Sequence, residues 1–220
     1  MFDFQNDVVE LSKADRAHPS LPRVQKPRLA LSKRLFDVAG AIMLLLPLGV
    51  SALLLCLLNP LFNRGPLFFV QERMGFRCVP FAAFKFRTMT APNGHARGAF
   101  DALETDRITV LGRIMRKMRI DELPQIINVL RGQMSLIGPR PDHFEHACVY
   151  LRTVPGYCAR HDVLPGISGF AQTEVGYVDG LDGVHRKVAA DLYYIAHATL
   201  AFDLWIAWRT LVVIATHRGS

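Results

Sequence analysis

Asp121 and Glu122 are adjacent carboxylates just behind four cations, Arg113, Arg116, Lys117 and Arg119. In phosphate chemistry such a pair can divide the work. One carboxylate, kept ionised, attacks phosphorus as a covalent nucleophile. The other holds Mg²⁺, a hard ion that takes oxygen ligands and usually shares them with substrate phosphates. The spacing predicts a helix from Glu122 to about Arg131, with Leu123, Ile127 and Leu130 as its apolar stripe and Gly132 as its stop. Asp121 is then the N-cap, and the helix dipole and nearby cations keep it ionised. The plainer alternative is an Asp that only caps and a Glu that only faces the dipole.

Other residues carry weaker signals. In Phe84-Lys85-Phe86-Arg87, strand alternation puts both rings on one face and both cations on the other, roughly 7 Å apart. That span suits a diphosphate, and a solvated strand face would read the same way. His143 and His146 offer two imidazoles at i, i+3, but no third metal ligand is indicated. No GxGxxG or GxxxxGK loop is present. The four cysteines, Cys56, Cys78, Cys148 and Cys158, form no CxxC, which points to a reducing compartment without structural zinc or disulfides.

The elements that position these residues follow from composition and pattern. The 26 cations against 19 anions give a net charge of +7, so an anionic partner is expected. Arginines dominate the cations, and their forks favour phosphate. The first 22 residues read as a polar tail without a signal peptide. Val38 to Leu58 then runs without a charge, roughly 31 Å as a helix, enough to cross a bilayer core. Pro47 kinks it near the middle. Both flanks are basic, Arg23 to Arg34 before and Arg64 to Arg87 after, so a spanning helix and a re-entrant hairpin both remain open. Leu67–Glu72 and Phe76–Phe81 read as strands joined around Met74-Gly75. Val110, Leu111, Ile114, Met115 and Met118 follow helical spacing. The last 30 residues read as helical, with Trp205 and Trp208 on a short apolar stretch suited to a membrane interface or to a core.

Taken in order, seven segments resemble the bacterial sugar transferases, the monotopic polyprenyl-phosphate phosphoglycosyl transferases. They are Lys33-Arg34-Leu35-Phe36-Asp37, Gly65 to Arg73, Lys85 to Met89, Asp121 to Gln125, Met134 to Pro141, Pro165 to Gln172 and Asp191 to Ile195. The resemblance implies transfer of a sugar 1-phosphate from a UDP-sugar to polyprenyl (undecaprenyl) phosphate with release of UMP, opening exopolysaccharide or glycoconjugate synthesis. It implies Asp121 as nucleophile and Glu122 as the Mg²⁺ ligand. Lys85, Arg87, Arg116 and Arg140 would contact substrate phosphate, and Gln172 the nucleotide. It also implies a re-entrant membrane helix broken at Pro47 on the cytoplasmic face of the inner membrane. Two departures stand out: Leu46, not Ser, precedes Pro47, and Thr173-Glu174-Val175-Gly176-Tyr177 follows Gln172.

The expected architecture is therefore α+β and mostly helical. Residues 1–32 form a polar tail, 33–62 a re-entrant membrane helix, and 63–220 a compact cytoplasmic catalytic domain with interfacial amphipathic helices. Inner-membrane lipid is an expected partner, nucleic acid is not, and a homodimer is left open. The alternative of another class is a non-enzymatic membrane-anchored protein that binds nucleic acid or anionic lipid through its Arg surface.

Overall fold

The computed structural model describes residues 27–91, 98–101, 104–176 and 180–216, with side chains from Leu31 onward. The polar tail, most of the Ala91–Gly98 loop and Tyr177 lie outside the described residues. The elements in chain order are α1 (Pro27–Phe62), β1 (Phe68–Met74), β2 (Pro80–Phe86), α2 (Val110–Lys117), α3 (Ile126–Leu130), β3 (Ser135–Ile137), α4 (Phe144–Thr153), β4 (Gly166–Ser168), α5 (Phe170–Glu174), α6 (Gly180–His197) and α7 (Leu200–Ala215). Helix dominates, as the sequence predicts.

The apolar run belongs to one 36-residue helix, α1, that continues through both Pro47 and Pro60. A helix broken into two arms is not seen, and the boundary expected at 32/33 falls inside it. One stripe of α1 packs on the rest of the chain: Ala41, Leu44 and Leu48 meet Phe81, Ile126, Val129 and Met134. Farther along, Leu48, Ala52 and Leu55 meet Phe86, Leu111 and Met115. The opposite stripe is bare, with Met43 78% and Leu46 75% exposed. Both ends are tied to the same body. Lys33 Nζ reaches Asp203 Oδ2 on α7 at 2.8 Å, and Arg34 Nη1 donates to Val129 O at 2.7 Å. At the far end Asn63 Nδ2 donates to Arg87 O at 2.7 Å. Between them Asp37, 1% exposed, accepts from Ser135 Oγ and Leu136 N, which pins α1 to β3.

β1 and β2 pair antiparallel from Phe68↔Phe86 to Met74↔Pro80. The second strand starts later than the sequence predicts, because the tight connection is a 3-10 turn at Phe76–Cys78 with Arg77 and Cys78 at positive φ. The free edge of β2 is closed by one side chain. Asn128, fully buried on α3, accepts from Phe84 N at 3.1 Å and donates to Ala82 O at 2.7 Å. An unpaired buried edge would leave backbone groups unsatisfied, so this amide fixes β2 against α3 and the segment preceding it.

β3 and β4 pair in parallel, Ser135↔Gly166 and Ile137↔Ser168. A Cβ on Gly166 would lie 2.1 Å from Gly138 N, so only glycine permits this approach. α2 is capped by Thr109, whose side chain accepts from Gly112 N at 3.0 Å. The predicted apolar stripe of α2 is divided: Leu111 and Met115 are buried, whereas Val110, Ile114 and Met118 face outward. Trp205 and Trp208 are likewise exposed on α7, at 43% and 63%.

Candidate active site

Three separate segments bring their charges to one carboxylate. Lys85, next to last in β2, donates to Glu122 Oε1 at 2.9 Å. Arg140, in the turn after β3, forks across both oxygens, with Nη1 2.9 Å from Oε2 and Nη2 on Oε1. Arg119 Nη1 stands 3.6 Å from Oε2. Glu122 is only 4% exposed at its side chain, against 14% for Lys85 and 27% for Arg140. The cations thus form the open side of the cluster. Arg73, Ala83, Lys85, Gln125, Arg140 and Pro141 line a shallow cleft there.

The dyad does not sit as a cap on an α-helix. Residues Ile120–Gln125 form a 3-10 helix, and the α-helix proper starts only at Ile126. Arg119, at φ 57°, occupies the position before it, and Asp121 caps nothing with its side chain. The tighter winding and Pro124 explain the difference from the predicted helix start. A left-handed arginine costs roughly 1–3 kcal/mol, and here it reverses the chain after α2 so that both carboxylates are buried.

The expected electrostatics of Asp121 also need correction. Burial, followed by the charge of Glu122, pushes its pKa up, against Lys85, Arg140 and Arg116, which pull it down. So short a helix supplies little dipole, and desolvation wins. Glu122 has the opposite fate. Burial alone would raise it, but Arg140 and then Lys85 hold it well below the usual carboxylate range. Burial lowers Lys85 to about 8, although Glu122 opposes the shift.

Arg116 Nε donates to Thr88 Oγ1 at 3.1 Å, on the segment following β2, and its charge acts on Asp121. Arg87 is not brought to Glu122. The hairpin pairing runs one residue past β2, with Arg87 N donating to Leu67 O at 2.9 Å, but the side chains of Lys85 and Arg87 find different partners. Arg87 instead donates to Pro66 O at 2.7 Å and to Asn63 O, at the exit of α1. Gln172 Nε2 donates to Ile167 O at 3.2 Å, and its buried Oε1 has no partner. The rings of His143 and His146 meet tilted at 59°, with centroids 5.0 Å apart. Arg73 and Gln125 line the cleft without having been singled out by residue type and spacing, although both stand inside the seven family-like segments.

Among the described residues no group of three or more His, Cys, Asp or Glu gathers to hold a metal. The oxygens available are those of the adjacent Asp121 and Glu122, and Glu122 is already ion-paired on both. Such a donor set does not form a cage for a resident ion. It fits Mg²⁺ that brings substrate phosphate oxygens with it, since that ion commonly takes only one or two protein carboxylates.

The assembled site is a buried carboxylate pair under a cationic cleft, beside an apolar helix. The chain is 40% identical over 195 residues to the UDP-N-acetylgalactosamine-undecaprenyl-phosphate N-acetylgalactosaminephosphotransferase of Aeromonas hydrophila, covering 88% of this chain and 46% of that protein. It is 39% identical over 194 residues to the UDP-glucose:undecaprenyl-phosphate glucose-1-phosphate transferase of Caulobacter vibrioides, covering 86% and 73%. With the exopolysaccharide production protein PSS of Rhizobium leguminosarum bv. phaseoli it shares 36% over 186 residues, covering 82% and 93%. The chain thus spans about half the length of the Aeromonas relative and most of the other two. The family model described as bacterial sugar transferase matches residues 28–217, a range that takes in all of α1 but Pro27, the dyad and every cation of the cleft, and the chain belongs to that family.

Proposed function

We propose that this protein transfers a sugar 1-phosphate from a UDP-sugar to polyprenyl phosphate, with Asp121 as the covalent nucleophile. The observation that carries the reading is the convergence of Lys85, Arg140 and Arg119 on Glu122, next to Asp121, at a cleft where cations outnumber carboxylates. The relatives' names supply the donor class, UDP-linked sugars, and the acceptor, undecaprenyl phosphate.

Glu122 takes the charge of Lys85, Arg140 and Arg119 on its two oxygens. A donor diphosphate entering the cleft offers Lys85 and Arg140 more negative charge than one carboxylate, and draws them onto its own oxygens. That leaves Glu122 with oxygens to offer Mg²⁺, which when bound would screen the phosphate charge against an attacking anion. A carboxylate oxygen of Asp121 attacks the sugar-bearing phosphorus in line with the bridging oxygen. The P–O bond to UMP breaks, and the electron pair leaves with UMP. The sugar phosphate is now an acyl phosphate ester of Asp121. An oxygen of polyprenyl phosphate then attacks the same phosphorus, the Asp121 carboxylate departs, and polyprenyl-diphosphate-sugar forms. Burial raises the pKa of Asp121, and Lys85, Arg140 and Arg116 work against that rise and favour the attacking anion. Arg116, already acting on Asp121, has a place in the same field.

Donor radiolabelled in the sugar, supplied without lipid acceptor, tests the scheme. Wild type should retain label on protein and release UMP, and digestion should place the label on the peptide containing Asp121. Asp121→Asn keeps the size but loses the anion, and should neither turn over nor be labelled. Label on that variant, or UMP appearing only with both substrates present, would replace the covalent scheme by direct displacement.

The anchor is read as monotopic on the cytoplasmic face of the inner membrane. The support is that both ends of α1 dock on one body while a whole stripe stays bare. A 36-residue helix is about 54 Å long. Standing upright across a bilayer, it would pull a docked end away from the body. Single cysteines at Ser20 and Asn93 should therefore be labelled only after the inner membrane is permeabilised. Labelling of position 20 from the periplasm of intact cells would restore a spanning helix. The rival reading, a non-enzymatic Arg surface for nucleic acid or anionic lipid, finds no support among the relatives named above as transferases.

A further inference from the structure

Four successive carbonyls of the turn that carries Arg140 are each held from outside it. Gly166 N donates to Pro139 O at 2.9 Å, and Arg160 Nη2 to Arg140 O at 2.8 Å. Arg73 Nη1 donates to Pro141 O at 2.9 Å, and Met74 N to Asp142 O at 3.1 Å. Pro139 and Pro141 carry no N–H, so the turn is poorly equipped to close on its own backbone. Its shape is imposed by β4, by β1 and by the 3-10 helix Tyr157–Asp162.

Of the two side chains among these donors Arg160 is the deeper, at 1% exposure. Its guanidinium points three ways at once. Nε donates to Asp191 Oδ2 at 2.8 Å, Nη1 to Asp142 Oδ2 at 2.5 Å, and Nη2 to the Arg140 carbonyl. Asp142 is held in turn by Lys187 and by Tyr157 Oη at 2.7 Å. The two cations and two carboxylates cancel, so this cluster has no charge left for an outside anion. What it offers the active site is a fixed carbonyl at the residue whose side chain forks onto Glu122.

We propose that Arg160 and Arg73 are positioning residues for phosphate transfer. They clamp the carbonyls of Arg140 and Pro141, and so set the direction in which the Arg140 fork leaves the turn. The proposal rests on the reading in which Arg140 meets the donor phosphate. A planar fork with fixed N–H directions is what the three-way contact of Arg160 requires, and a lysine ammonium cannot span it. Small misplacement of a charge-stabilising group is costly, on the order of 10²-fold for 1 Å.

The test is a double-mutant cycle on UMP release, using UDP-glucose or UDP-N-acetylgalactosamine, whichever the wild type consumes, with undecaprenyl phosphate in micelles. The variants are Arg160→Lys, Arg140→Met and the double, with melting and membrane association measured in parallel. Arg160→Lys keeps the cluster's charge and should lower kcat about 10–100-fold in the wild-type background, with little change in donor KM. In the Arg140→Met background it should cost no more than about 2-fold, because the group it aims is gone. Equal factors in both backgrounds would mean general damage to the fold and would overturn the proposal, as would wild-type kcat in Arg160→Lys. Should Arg160→Lys fail to fold, the same cycle with the more superficial Arg73→Gln decides. Additive losses there overturn the proposal, and losses that vanish with Arg140→Met support it. Wild-type turnover in Arg140→Met alone would instead sink the phosphate-contact reading, a separate outcome.

Discussion

Glu122 and Arg160 each stand at the centre of a buried ionic cluster, and the two clusters are balanced differently. Around Glu122 the partners are Lys85, Arg140 and Arg119, three cations on one carboxylate. Even with Asp121 counted, positive charge is in excess, and Arg140 remains 27% exposed. Around Arg160 the partners are Asp142 and Asp191, with Lys187 on Asp142, and both Arg160 and Asp191 are 1% exposed. The first cluster is unbalanced and open, the electrostatic form of a site awaiting an anion. The second is balanced and shut, the form of a joint. Burial of charge alone does not separate them. The sum of charges and the path to solvent do.

Substitutions should separate the two clusters by what they damage. Lys85→Met removes a cation from the open cluster, and turnover should fall roughly 10²–10³-fold, as for loss of an electrostatic stabiliser. The melting midpoint should hold or rise, because a desolvated ammonium is gone and Glu122 keeps Arg140. Asp191→Asn in the closed cluster leaves Arg160 short of a buried counter-charge, a loss of about 3 kcal/mol or more in folding free energy. Denaturant melts and UMP release on both variants check the contrast. A Lys85→Met protein with normal turnover, or an Asp191→Asn protein of wild-type stability, would erase the distinction.

The smallest expected effect is a pH limb. Lys85, lowered to about 8 by burial, is charged below that pH and neutral above it in the free enzyme. The ratio kcat/KM reports the free enzyme, so it should decline above about pH 8. Stability should move the other way. Between about 8 and the ordinary lysine value of 10.5 the unfolded chain binds a proton that the folded one has released, so raising the pH favours the fold. Lys85→Arg stays charged throughout and should lose the limb. A limb at pH 8 that persists in Lys85→Arg belongs to another group.

Much of this molecule is legible in its residues because the signals are local. The uncharged run from Val38 to Leu58 could only be an apolar helix, the alternation about Lys85 reads as a strand, and Asp121-Glu122 behind a cationic segment points at phosphate. Motif order carries the family. Local signals fail where a neighbour in space overrides them. The helix expected from Glu122 starts instead with a 3-10 turn behind a left-handed Arg119. Lys85 and Arg87 do not share a partner, because Glu122 lies beside Lys85 while Arg87 turns to the carbonyls at the exit of α1.

What the sequence by itself determined is therefore the class of elements, the family and the chemical type of the dyad, since these follow from residue type and spacing along the chain. Only the tertiary structure decided which cations face Glu122, that burial raises Asp121 while lowering Lys85, and that both ends of α1 dock on one body. It alone exposed the clamp from Arg160 and Arg73 onto the turn of Arg140. Coulomb energy and desolvation depend on distance and depth, and Lys85, Glu122 and Arg140 meet within hydrogen-bond range from three segments that no periodicity relates.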